Sequence, residues 1–257
     1  MPGAVVPLRA RGSAILPRVR KIIEGFKTVD RDSAIALCYT AINLSVVEFW
    51  YLTNVVQRRI NEREGVFRRG ISMEAGTTWA IATILLQLVI PILLIRFVHR
   101  RKLADHGWNM SGFVRHLWIY LGLFAFMIPF VLYAASQEAF LSRYPFVSEA
   151  RTDSSVFLRW EFVYLAQFIA LESFFRGYLL FTLERAFKWN ACFIMAVPYC
   201  MIHWHKPPLE CFGALIAGVA LGAAALRFRS WYGGAVLHML VGATMDILAF
   251  QHATNSG

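Results

Sequence analysis

Five side chains in the second half of this chain have the types and spacing to do chemistry. Glu172 and Arg176 stand four residues apart inside an apolar run from Phe157 to Leu183, so they share a helix face and can pair. His203 closes the next apolar segment, His238 lies in the last one, and Asp246 follows two turns later. Ionisable groups at membrane depth are costly and mark protein interiors that have a task. A carboxylate beside an arginine, with two histidines and an aspartate on neighbouring helices, could form half of an active site. Taken singly, Glu172–Arg176 reads equally well as a structural ion pair, and each histidine as an interhelical hydrogen-bonding group. Their conjunction on three successive helices favours a site.

At about 1.5 Å rise per residue, Glu172 lies roughly 16 Å, His203 roughly 20 Å, Asp246 roughly 22 Å and His238 roughly 10 Å from the same membrane face. All four are therefore expected to converge on one polar pocket near mid-membrane. Glu161 precedes Glu172 by eleven residues on the same helix face. Its place near the helix end predicts a surface or supporting role.

The elements that must position these residues are apolar helices. Segments at about 33–55, 77–98, 114–136, 156–183, 190–204, 209–226 and 231–250 meet or approach the ~20 apolar residues a spanning helix needs. They predict an all-α, polytopic membrane helical bundle of about seven transmembrane helices. Residues 33–250 form a single domain in this reading, preceded by a basic cytoplasmic segment, 1–32. Gly218 and Gly222 make a GxxxG helix-packing pair. Basic residues follow the second, fourth and sixth segments, which places the N-terminus inside and the C-terminus outside. Five arginines between 56 and 76 weigh against that orientation.

Composition agrees with a membrane protein. The chain is 58% hydrophobic and only 16% charged, whereas soluble domains carry about a quarter charged residues. The excess of 26 Lys and Arg over 16 Asp and Glu reads as loop charge drawn to anionic lipid. No nucleic-acid partner is expected. Four cysteines, none in a CxxC pair, read as small buried hydrophobes and not as a thiolate metal or redox motif. The N-terminus has no secretory signal pattern.

Leu171-Glu172-Ser173-Phe174-Phe175-Arg176-Gly177, Tyr199-Cys200-Met201-Ile202-His203 and the helix from His238 resemble the CPBP intramembrane proteases, which include the CAAX prenyl endopeptidases and Abi-type proteins. That family pairs an EExxxR helix with an aromatic-xxx-His helix and an HxxxN or HxxxD helix. The resemblance covers about 140–250. It implies a multi-pass protein of the cell (inner) membrane that hydrolyses a peptide bond of a membrane-associated or lipid-modified protein. Carried over, Glu172, His203 and His238 are the catalytic residues, supported by Arg176 and Asp246. Glu172 would be general base, the histidines would orient water or stabilise the oxyanion, and Asp246 would orient one histidine. This version needs no cofactor. A zinc version would use His203 and His238, with Glu172 or Asp246 as a third ligand. With no HExxH present, the metal-free version is preferred.

Two positions depart from the family pattern. Leu171 stands where the first of the paired glutamates is expected, and Gly242 stands four residues after His238, with Asp246 one turn further on. They motivate an alternative, a catalytically inactive immunity or scaffold protein. A proton-coupled transporter could use similar buried charges, but no internal symmetry supports it.

Overall fold

Without water to satisfy them, backbone N–H and C=O groups in apolar stretches must bond within their own segment, and helices result. The computed structural model describes residues 20–21, 24–25, 28–63, 70–204 and 206–255, with the backbone alone for 50–63. Most of the basic segment 1–32, and the arginine side chains between 56 and 69, lie outside the described residues.

Seven helical segments follow one another where the apolar runs predict them. They are α1 (Arg31–Arg63), α2 (Met73–Val98), α3 (Met110–Ala135), α4 (residues 154–187), α5 (Asn190–Met201), α6 (Pro208–Phe228) and α7 (Tyr232–Asn255). Among the described residues there is no β-strand, only an isolated bridge between Ile71 and Val147. α2 contains two π-helical turns flanking Pro91, whose missing N–H interrupts the α-helical ladder. α4 runs as an α-helix through Ser154–Glu172, widens into a π-helix over Ser173–Leu179, and resumes over Leu180–Phe187. The Asp153 side chain caps α4 by accepting from the amides of Ser155 and Val156, and those bonds hold its carboxyl below the usual range.

The protein is a helical membrane bundle that crosses the bilayer several times. Five segments are long and apolar enough to cross: Arg31–Phe49, Met73–Val98, Leu103–Ala135, Pro208–Phe228 and Tyr232–Asn255. α4 falls outside that set because of its charged residues. α5, at 12 residues, is about 18 Å long and cannot cross alone. Phe97, Trp118, Phe126, Phe193, Phe212 and Ile216 point outward and exposed, a surface that hydrocarbon covers.

α4 is the central helix. From Ala170 to Leu183 every residue is buried, as befits a helix that is apolar all round. α2 and α7 pack against it, α5 pairs with α6, and α3 pairs with α7. The helix ends sort into two groups. At one end His99 Nδ1 lies 2.9 Å from Asp32 Oδ1, Arg229 binds Glu184 at 2.7 Å, and the Trp231 amide donates to the Gly107 carbonyl at 3.3 Å. The basic ends of α2, α4 and α6 therefore gather beside the start of α1, as alternating helices require. At the other end the Ile71 amide donates to the Phe146 carbonyl at 2.8 Å. There the Tyr144 hydroxyl also donates to Glu210 at 2.8 Å, and Lys206 Nζ sits 2.6 Å from Glu210 Oε1.

Close approach of α3 and α7 depends on Gly233. A Cβ there would sit 2.0 Å from the buried Tyr120 ring, whereas a Cβ on Gly122 of α3 meets nothing within 4 Å. Gly233→Ala is expected to cost about 1–3 kcal/mol by overpacking. Gly122→Ala should be neutral. Melting of the two purified variants in detergent checks this, and equal melting temperatures would contradict it.

Candidate functional site

The site is built where α4, α5 and α7 meet. Glu172 and Arg176 are both fully buried, and Arg176 Nη1 donates to Glu172 Oε1 at 2.7 Å. His238 of α7 brings Nδ1 to 2.9 Å from the same Oε1. The Arg176 guanidinium lies over the Tyr199 ring of α5, 3.7 Å from its centroid. The carbonyl of the same Tyr199 accepts from His203 Nδ1 at 2.9 Å. Glu172 and His203 are thus coupled through Arg176 and Tyr199.

Tautomers follow from the partners. A carboxylate bound to an arginine and a backbone carbonyl can only accept, so Nδ1 of each imidazole must be the donor. Each ring is then left with an Nε2 lone pair. Both histidines line a cavity of about 930 Å³ between α1, α2, α4 and α5, whose walls also include Gln87, Gln167, Leu171 and Lys206. Glu172 is not on that wall. Its Oε2 is buried without a partner and faces Gly234, where a Cβ would come within 2.8 Å. The residue of the Leu171–Glu172 pair that meets the cavity is Leu171.

Asp246 lies elsewhere. Its Oδ2 accepts from Trp160 Nε1 at 2.8 Å, and its carboxyl lies beside that of Glu161. The helices α4 and α7 run antiparallel and share two polar rungs, Glu172–His238 and Glu161–Asp246. Depth counted from each helix's own end misplaces Asp246 because α4 overshoots α7: Trp231, at the start of α7, packs on Gly177, three turns before α4 ends. Measured from Trp231, Glu172 and His238 lie level, and Asp246 is a further ~12 Å along. Glu161 belongs to that second rung and is buried.

Gly242 also has a structural reason. A Cβ there would lie 2.6 Å from the Phe168 ring, and Phe168 in turn packs on His238 with ring centroids 4.2 Å apart. An aromatic ring fills the space where an asparagine or aspartate was expected. Tyr199, Trp160, Phe168 and Gly234 are site-forming residues that sequence patterning undervalued. Tyr199 had one usable signal, its fixed place four residues before His203.

Residues 153–244 match the family model described as type II CAAX prenyl endopeptidase Rce1-like. This segment is similar to that family. It runs from the cap of α4 into α7 and contains Glu172, Arg176, His203 and His238, in agreement with the resemblance drawn from the motifs. The match supports a CAAX-type intramembrane endopeptidase reading in general terms. No curated protein matches the chain, and no solved structure does.

Removing one partner of a buried ion pair strands the other. Arg176→Leu is expected to destabilise the protein by about 3–5 kcal/mol, while Glu172→Leu with Arg176→Leu should recover most of the loss. Detergent melting of the single and double variants reads both outcomes. A harmless single substitution would remove the pair from its structural place.

Proposed function

We propose that this protein is an intramembrane endopeptidase in which Glu172 acts on water through His238. The observation that carries this is the 2.9 Å contact between His238 Nδ1 and a wholly buried Glu172, with the imidazole and not the carboxylate facing the cavity. Glu172 holds Nδ1–H and fixes the tautomer. Nε2 then takes a proton from water as the water oxygen bonds to the scissile carbonyl carbon. The imidazolium so formed is balanced by Glu172 and passes its proton to the leaving amine as the C–N bond breaks. His203 offers a second Nε2 lone pair, which accepts the other water proton and orients the nucleophile. Arg176 is a positioning residue that holds Glu172. The apolar cavity walls suit an extended segment of a membrane-anchored or lipid-modified protein.

Zinc is the alternative for the same site. Imidazoles whose Nδ1–H groups rest on a carboxylate and a carbonyl resemble metal-ligating histidines. Catalytic zinc uses three protein ligands, and among the described residues no three His, Cys, Asp or Glu side chains are grouped to hold a metal ion. The donor set does not fit, and no step here depends on a metal.

A second reading, binding without cleavage, is favoured by Leu171 on the cavity wall. Processing of candidate membrane-anchored proteins separates the two. Glu172→Gln, His203→Ala and His238→Ala are each expected to lower the processing rate about 100-fold or more, and EDTA should leave the wild-type rate unchanged. If all three variants process like the wild type, proteolysis at this site is wrong. Loss of activity in EDTA, restored by zinc, would overturn the metal-free mechanism.

A further inference from the structure

α5 and α6 form a hairpin whose turn, residues 202–207, carries His203 into the cavity. Two cysteines face each other across its base. Cys200, in the last turn of α5, and Cys211, in the first turn of α6, bring their Sγ atoms to 3.9 Å, and the Cys200 thiol donates to the Cys211 carbonyl at 3.6 Å. Both are half-buried, unlike Cys192, which is buried in the core. Eleven residues apart and outside any CxxC spacing, they have no sequence signature as a pair. The fold creates it.

We infer that Cys200 and Cys211 form a reversible disulfide that governs the position of His203. The deeper half of this inference, control of cleavage, rests on the proteolytic reading above; formation of the bond does not. Closing the bridge requires the sulfur atoms to approach to about 2.05 Å, drawing the end of α5 toward α6. That end holds His203 in two ways. Its amide donates to the Cys200 carbonyl at 2.9 Å, and its Nδ1 donates to the carbonyl of the adjacent Tyr199. Movement of residues 199 and 200 therefore moves the imidazole. The same turn holds the Lys206–Glu210 pair and its Tyr144 contact, so the turn is anchored on its far side and strain from the bridge falls on His203.

In the chemistry, a thiolate of the pair attacks an oxidant of the disulfide class, a protein thiol–disulfide oxidoreductase or a small disulfide. The mixed disulfide that forms is displaced by the second cysteine. Two protons and two electrons leave the pair, and the oxidant's disulfide becomes two thiols. The hairpin base lies at the end of the bundle opposite the basic ends of α2, α4 and α6. On the orientation read from the basic residues after the second, fourth and sixth segments, that end faces away from the cytoplasm, toward a compartment where disulfides persist.

Full-length protein in membranes is treated with oxidised glutathione, then blocked with an alkylating reagent and mapped without reduction. The expected product is a Cys200–Cys211 linked peptide that dithiothreitol abolishes and that is absent from Cys200→Ser and Cys211→Ser, with Cys192 still free. Complete alkylation of both Cys200 and Cys211 after oxidation would overturn the inference. Processing is assayed in parallel. The wild-type rate should fall at least tenfold on oxidation and recover with dithiothreitol, while both serine variants stay at the reduced rate throughout. A linked peptide with unchanged processing refutes control of His203. Absence of processing in every form, with the bridge formed, refutes the proteolytic reading and leaves the disulfide standing.

Discussion

Burial of the Glu172 carboxylate is the constraint on which the rest of this structure depends. An unpaired carboxylate in a packed apolar interior is several kcal/mol out of balance, so three helices must supply what water no longer does. α4 supplies Arg176, α7 supplies His238, and α5 supplies the Tyr199 ring beneath the guanidinium. Compensation is incomplete, since Glu172 Oε2 and the Nε and Nη2 atoms of Arg176 have no hydrogen-bond partner. Such a cluster contributes less to stability than to register. Any rotation of α7, or a one-turn slide against α4, strands the carboxylate.

The register set at Glu172 propagates along the α4–α7 interface. Two glycines of α7 allow the approach: Gly234 against Glu172, and Gly242 against Phe168. With the helices close and antiparallel, Glu161 and Asp246 meet at the next rung, where Trp160 donates to Asp246 Oδ2. The two rungs differ in kind. One joins a carboxylate to an imidazole that reaches a cavity; the other brings two carboxyls together beside Trp160.

Helical class and the seven apolar segments were legible because hydrophobic runs of near-bilayer length leave the chain few choices. The Glu172–Arg176 pair was legible for a local reason, the four-residue spacing. Other features are properties of relative helix placement. The overshoot of α4 past Trp231 cannot be read from either helix alone, and it decided that Asp246 meets Trp160 and Glu161 instead of a histidine. Cys200 and Cys211 likewise looked like separate small hydrophobes until the hairpin folded them together. Whether Leu171 or Glu172 faces the cavity is a question of helix phase at the entrance to a π-helical turn. Sequence periodicity does not resolve it.

That phase changes how the departure at Leu171 should be weighed. If the carboxylate had to touch water itself, an apolar residue at the cavity wall would remove the reaction. In the proposed mechanism an imidazole interposed between carboxylate and cavity needs no second glutamate: the charge stays buried, and His238 Nε2 would take the proton. Phe168, packed against His238 in the room left by Gly242, would then hold the ring plane that an asparagine or aspartate was expected to fix. Leu171 and Gly242 can therefore be read as one linked change. Together they replace a carboxylate facing water with a histidine that is backed by Glu172 and braced by an aromatic ring.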